Sequence, residues 1–288
     1  MAGFRSYPDG QGSEAGPKRR LRPESFADHY SQARQFFTSQ TEIEQQHLID
    51  AFVFELSKCD KTAIRTRVVA GLRNVDEDLA LAVADGLGLP ELPAALPPAR
   101  EPVRDLAASP ALSIQVNGPR SFAGRKIGIL ATDGTDTAKL EELRSAAQAE
   151  HVNVELIAPA VGGIEVGNGN GNRIPADQKV DGGPSVLYDA VILLVSKQAA
   201  PALAALPAAR DFVADAYAHC KFIGYAGEAG LLLEAAGLTS SLMDDGFISL
   251  QEHSAADFIA RCADLRYWPR QVVTAEKARA LRAQTRRT

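Results

Sequence analysis

The stretch FIGYAGEAGLLLEAAG, Phe222 to Gly237, is the part of the sequence best shaped for chemistry. An apolar run ends in Gly-Tyr-Ala-Gly and an apolar helical pattern follows at once. That strand–turn–helix form is where many α/β enzymes mount a nucleophile. Tyr225 is expected at the apex. A phenol with an unperturbed pKa of about 10 is a poor nucleophile at neutral pH, so the elbow reads as one without a reactive group. A second candidate is Thr132-Asp-Gly-Thr-Asp-Thr137, which follows a strand and opens a helix. The hydroxyls of Thr132, Thr135 and Thr137 and the backbone at Gly134 could cradle a phosphate, as in flavin mononucleotide proteins. A tight βα turn ending in an N-cap needs the same residues, and that reading weighs more. Tyr188, Tyr217, Tyr225 and Trp268 are stacking candidates that the sequence does not place beside the loop.

His219 and Cys220 are adjacent at a helix end. Neighbours on a helix point about 100° apart, so the two do not form a nucleophile–base pair. Cys59 and Cys262 fall within helical patterns and read as small core residues. The three cysteines show no paired spacing, which argues against a disulfide framework or a zinc site and suits a reducing compartment. No metal site is expected.

The elements that would position these residues begin at Arg125. RKIGILA, VNVELIA, DAVILLVS, KFIGY and GFISL read as strands, alternating with helices over 137–150, 208–219, 228–236 and 254–265. Such alternation implies a flavodoxin-like, doubly wound, mostly parallel sheet in an α/β domain over residues 123–270. VGGIEVGNGNGNRIP reads as a β-excursion and loop. Residues 25–92 read as a small all-helical segment. Thr41-Glu-Ile-Glu44 has the form of a capping box. Leu48, Phe52 and Leu56 share one helical face. A second helix over 62–73 carries Ile64, Val68 and Leu72, and a third starts at the N-cap Asp76 and closes at Gly86. Three short helices make a thin core. Phe26, Phe36, Phe37, Phe52 and Phe54 exceed what they can cover, which predicts packing against a partner surface. Between the two parts, 93–122 is a Pro-rich linker expected as an extended spacer. Residues 1–24 form a leader that reads as a connection out of something earlier, and 271–288 a basic tail.

The chain has 288 residues, a formal net charge of −5 and 45% hydrophobic residues. This is ordinary for a globular protein and predicts no general affinity for nucleic acid or membrane. No apolar run approaches the roughly 20 residues of a bilayer span, and the opening has no signal-like apolar core. A cytoplasmic location is expected.

Two segments carry a resemblance. RPESFADHYSQARQFFTSQTEIEQQHLIDAFVFELSK with AIRTRVVAGLRNVDEDLALAVADGLGL resembles the region after the haem barrel of large-subunit catalases. VLYDAVILLVS, KFIGYAGEAGLLLEAAGL, DDGFISL and DFIARCADLRYWPR resemble their extra C-terminal domain, which is similar to the class I glutamine-amidotransferase-like superfamily. In that superfamily the elbow carries cysteine, a glutamate follows the first strand and glycines end the third. Here Tyr225 is aligned with the cysteine, Thr137 or Ala138 with the glutamate, and VSKQ ends the third strand. Catalases dismutate hydrogen peroxide on haem held by a tyrosine four residues after an arginine. Gly3, Phe26, Pro184, Val213, Lys221 and Ala263 precede the six tyrosines by that spacing. The resemblance therefore implies a barrel expected upstream of Met1, no haem site in this chain, and a structural and assembly role beside a haem-barrel domain or other catalase subunits, with a homo-oligomer as another form. The rival readings are a cysteine-independent hydrolase or glyoxalase-like enzyme, and a phosphate-ligand or chaperone-like binding module.

Overall fold

The computed structural model describes residues 20–167 and 171–271. Most of the expected leader, nearly all of the basic tail and the centre of the Gly-Asn loop lie outside the described residues. The chain divides into two compact units, with the boundary between Val116 and Asn117.

Residues 25–92, all described, hold four α-helices rather than three: α1 (Ser31–Thr38), α2 (Glu42–Ser57), α3 (Thr62–Leu72) and α4 (Glu77–Gly86). The extra helix α1 opens behind Asp28, whose carboxylate accepts the Tyr30 and Ser31 N–H groups at 3.3 and 3.0 Å. The core joins Phe37, Leu56, Val69, Leu72, Leu79 and Val83, with Leu48 and Phe52 packed against it. On α3 it is Val69 rather than Val68 that is wholly buried. Asp76 caps α4, as the sequence suggests, accepting from Asp78 and Leu79.

The closing glycine of α4 is Gly88, not Gly86. Gly88 takes a φ of +65°. Its N–H reaches Asp85 O while that of Leu89 reaches Ala84 O, each at 3.0 Å, the paired bonds of a Schellman motif. Gly86 is still helical, and a Cβ there would come within 2.5 Å of the Val53 side chain. Close approach of α2 and α4 sets that glycine.

The Pro-rich segment is extended, but through residue 116 it belongs to the first unit and is tied along its helices. Val103 N–H donates to Ser31 Oγ at 2.7 Å and Ser109 N–H to Ser39 Oγ at 2.9 Å. The Asn74 amide donates to Leu96 O at 2.8 Å. The segment ends in the short helix α5 (Ile114–Asn117).

The second unit is the expected α/β fold. Its elements are β1 (Lys126–Ala131), α6 (Thr137–Ala149), β2 (Asn153–Ala158), β3 (Ile164–Glu165), β4 (Arg173–Ile174), β5 (Gln178–Lys179) and β6 (Ala190–Val195). They continue with α7 (Ala200–Ala205), α8 (Pro207–Ala218), β7 (Ile223–Gly227), α9 (Ala229–Ala235), β8 (Phe247–Ser249) and α10 (Ala255–Cys262). The sheet runs β5-β2-β1-β6-β7-β8, and every ladder in it is parallel. Apart from the short edge strand β5 this is the flavodoxin-like order. All six residues of β6 are buried, as a parallel strand covered on both faces requires. On one face Ile129, Ile192, Leu140 and Phe258 join β1 and β6 to α6 and α10. On the other, Leu130, Leu193, Phe212 and Leu232 join them to α8 and α9. The expected β-excursion is the antiparallel pair β3–β4.

Glu44 is the main polar tie of the first unit. The capping box is formed, with Glu44 N–H on Thr41 Oγ1 at 3.3 Å and Thr41 N–H on Glu44 Oε2 at 2.9 Å. The same carboxylate accepts Ser113 Oγ at 2.8 Å, Ile114 N–H at 2.9 Å and Gln115 N–H at 3.2 Å. It thus caps two helices about 70 residues apart in sequence. Burial pushes its pKa up, but the bonds from Thr41, Ser113 and Gln115 outweigh burial and hold it below its ordinary value. A carboxyl lowered on folding contributes stability above its unfolded pKa and loses it as pH falls through the folded one. Glu44→Ala is expected to cost the helical unit about 1–2 kcal/mol near neutral pH. In urea titrations that difference should shrink as pH drops below 4.5; a gap independent of pH would contradict the assignment.

Candidate functional site

β1 and β6 are neighbours, yet α6 after β1 and α7 after β6 pack on opposite faces of the sheet. Open α/β sheets bind ligands in the crevice where the winding reverses. A cleft of about 570 Å³ lies there, lined by the ends of β6 and β7, the start of α6 and the loop after β8.

The structure brings Thr132, Gly134, Thr135 and Thr137 to this end of the sheet, and the polar groups of Thr132, Gly134 and Thr135 serve the turn. Thr132 Oγ1 accepts the Ser196 N–H at 3.0 Å, and Thr132 N–H donates to Thr135 Oγ1 at 3.1 Å. The Thr135 hydroxyl lies 2.7 Å from Thr132 O and 2.9 Å from Leu194 O. Both side chains are buried, stitching the end of β1 to that of β6. Gly134 has a φ of +75° and donates its N–H to Glu165 O at 3.0 Å. Thr137 opens α6 behind Asp136, whose carboxylate accepts the Ala138 and Lys139 N–H groups at 2.9 and 3.3 Å. An incoming phosphate would meet that carboxylate where it needs free N–H groups. The loop is a self-satisfied βα turn.

Tyr225 is not at the apex. It lies inside β7, opposite Leu193 on one side and Ser249 on the other, and its carbonyl accepts the Leu250 N–H at 2.9 Å. The bend comes two residues later, at Gly227, where φ is +66°. A Cβ at Gly227 would stand 2.2 Å from Val195 O. That same oxygen accepts the Glu228 N–H at 2.9 Å. The backbone at the bend is pressed against β6, and only glycine fits. β7 also starts later than expected: the Lys221 N–H closes α8 on Ala216 O at 3.0 Å instead of joining the sheet, and the Lys221 side chain is buried. Its ammonium donates to Tyr188 O at 2.7 Å and to Ser185 O. Burial, reinforced by Arg266, pushes its pKa down to about 8. Nothing in the local sequence signalled this buried lysine.

The remaining candidates sit away from the cleft. Tyr188 is buried before β6 and donates to Glu155 at 2.9 Å. Burial and that bond push its pKa up. Tyr217 ends α8 against Arg270. Trp268 follows Tyr267, whose N–H donates to Cys220 O at 2.7 Å. Cys220 precedes β7 with a φ of +55°, and His219 bonds the Asp215 carbonyl. Burial pushes the thiols of Cys220 and Cys262 up. Among the described residues no group of His, Cys, Asp and Glu could hold a metal ion.

Gly227→Cys would place a thiol at the bend, and the geometry predicts that it fails as a nucleophile. The substitution is expected to lower Tm by several degrees through strain and the contact with Val195 O. Iodoacetamide labelling of the folded variant should give no fast thiol beyond those of the parent chain. A stable variant with one rapidly alkylated new thiol would show that this elbow still accepts a side chain.

Two family models match the chain. "Catalase-related immune-responsive" matches residues 23–87, and "C-terminal domain found in long catalases" matches residues 123–272. The chain is 54% identical over 272 residues to "Catalase C" of Rhizobium meliloti, covering 94% of this chain and 38% of that protein. It is 36% identical over 264 residues to "Catalase HPII" of Mycobacterium avium, covering 87% and 36% respectively. Against "Catalase-2" of Bacillus subtilis the identity is 33% over 266 residues, covering 89% and 36%. The chain therefore spans little more than a third of the length of these curated relatives.

Proposed function

From the chain's membership of the large-subunit catalase family, of which it is a C-terminal portion, we propose that it is a structural and assembly module without peroxide chemistry of its own. The observation that carries this is the surface of the helical unit. Phe37 is buried at 6% exposure, while Phe36, Phe26 and Phe54 are 42%, 60% and 63% exposed. Burying each such side chain is worth roughly 1.5–3 kcal/mol. The surface they form is suited to a haem-barrel domain or another catalase subunit.

Haem would be held outside these residues, because those present do not fit it. No tyrosine follows an arginine by four positions. The buried Tyr188 is held as a phenol on Glu155 rather than released as a ligand anion. No helix among the described residues is long and apolar enough to cross a membrane, and the three cysteines are free thiols. Both support our placement of the module in the cytoplasm.

The test is to mix the chain with the Rhizobium meliloti catalase C truncated of the region this chain matches, and to follow assembly by light scattering. Association is expected, weakened by Phe36→Ala and Phe54→Ala with little change in Tm. Phe37→Ala should instead destabilise the unit by about 3–5 kcal/mol. Exposed-face variants that leave association unchanged would sink the docking assignment. Titration of the chain alone with haem should yield no tyrosinate-type Soret band and no peroxide turnover; either signal would overturn the non-catalytic reading.

A further inference from the structure

The segment after α10, residues 265–271, closes over the amino end of the sheet, and its contacts gather around one buried lysine. Tyr267 N–H donates to Cys220 O at 2.7 Å, and Arg270 Nη1 to Lys221 O at 2.8 Å. Arg266 Nη1 donates to Asp189 O at 3.1 Å, while the Lys221 ammonium donates to the neighbouring Tyr188 O at 2.7 Å and to Ser185 O. Two cations thus sit on consecutive carbonyls. Lys221 is only 3% exposed, and no carboxylate among the described residues bonds its ammonium. The charges that face it are Arg266 from the closing segment, Asp189 ahead of β6 and Asp215 on α8. Asp189 is engaged elsewhere, by the Lys126 N–H at 3.0 Å and Arg125 at 3.4 Å. His219 turns its ring to the Asp215 carbonyl. The thiols of Cys220 and Cys262 and the phenols of Tyr188, Tyr217 and Tyr267 are pushed up by burial and stay protonated around pH 8.

Closure brings the Arg266 guanidinium to the carbonyl next to the one that the ammonium holds, and that approach disfavours the charged amine. A neutral amine still carries two N–H groups, enough for Ser185 O and Tyr188 O, and Arg266 does not repel it. We propose that the closing segment is a proton-linked latch: residues 265–271 hold the amino end of the sheet more tightly when Lys221 is neutral. Burial, with Arg266 second, brings the Lys221 pKa down to about 8. A lysine whose pKa is lowered by closure releases its proton on closing, so rising pH favours the closed form and falling pH opposes it. The latch lies wholly within the second unit and does not depend on the assembly reading.

Hydrogen exchange of the full chain tests this at the Tyr267 and Arg270 amides, whose N–H groups donate to Cys220 O and Tyr267 O in the closed form. Corrected for the intrinsic pH dependence of exchange, their protection should rise by up to about tenfold between about pH 7 and 9. Lys221→Met, which removes the charge, should keep high protection across that range. Lys221→Arg, charged throughout, should keep low protection across it. Protection in the parent chain that is flat or falls with pH overturns the proposal, and that profile is decisive even if neither variant folds. A Lys221→Met chain that retains the parent's rise overturns it equally.

Discussion

The carbonyl of Val195, at the end of β6, is the constraint on which the carboxyl end of the second unit depends. It receives the Glu228 N–H at 2.9 Å and stands where a Cβ on Gly227 would have to be. One backbone oxygen thereby fixes the bend after β7, excludes a side chain from its apex and defines one wall of the cleft. It is held in place because β6 is buried along its whole length between two helical layers. The architecture that provides a catalytic elbow elsewhere is present. The separation between β6 and the bend leaves no room for a side chain at Gly227.

The two ends of the sheet contrast in how charge is handled. At the amino end, Lys221 is wrapped by the Ser185 and Tyr188 carbonyls, and Arg266 donates to Asp189 O at 3.1 Å. Arg270, nearly inaccessible, meets Asp244 at 2.7 and 2.8 Å and lies over the Tyr217 and Phe247 rings. Buried charges that lose a partner cost several kcal/mol, so these contacts fix how the segment after α10 closes over β7 and β8. At the carboxyl end, the buried hydroxyls of Thr132 and Thr135 tie the turn after β1 to β6 without using a charged group.

What could be read from the sequence follows the range of the interactions. RKIGILA, VNVELIA and DAVILLVS were legible as strands because burial on both faces writes an unbroken apolar run. Thr41 and Glu44 were legible as a cap because the box is local. Gly86 and Gly88 could not be separated, since the choice turns on Val53, in another helix. The place of Tyr225 is hidden for a similar reason: β7 runs on to Gly227 because it pairs with β6 as far as Val195, a contact the local sequence does not carry. The Pro-rich stretch carries no helical period, and its ties to Ser31, Ser39 and Glu44 cross about 70 positions.

Those long-range ties also bear on why the helical unit keeps an apolar surface. The segment through residue 116 supplies polar partners to the helices, and its own Leu96, Val103, Leu106, Leu112 and Ile114 stay exposed. It therefore adds apolar surface of its own to the unit. Helix α2 sends Phe52 into the core two residues before it sends Phe54, 63% exposed, to the outside. A helix apolar on opposite sides is a buried helix, and four short helices bury only one of those sides. A unit that needed only its own stability would gain by placing polar residues at Phe36 and Phe54. Their exposure is the feature on which the proposed docking surface rests.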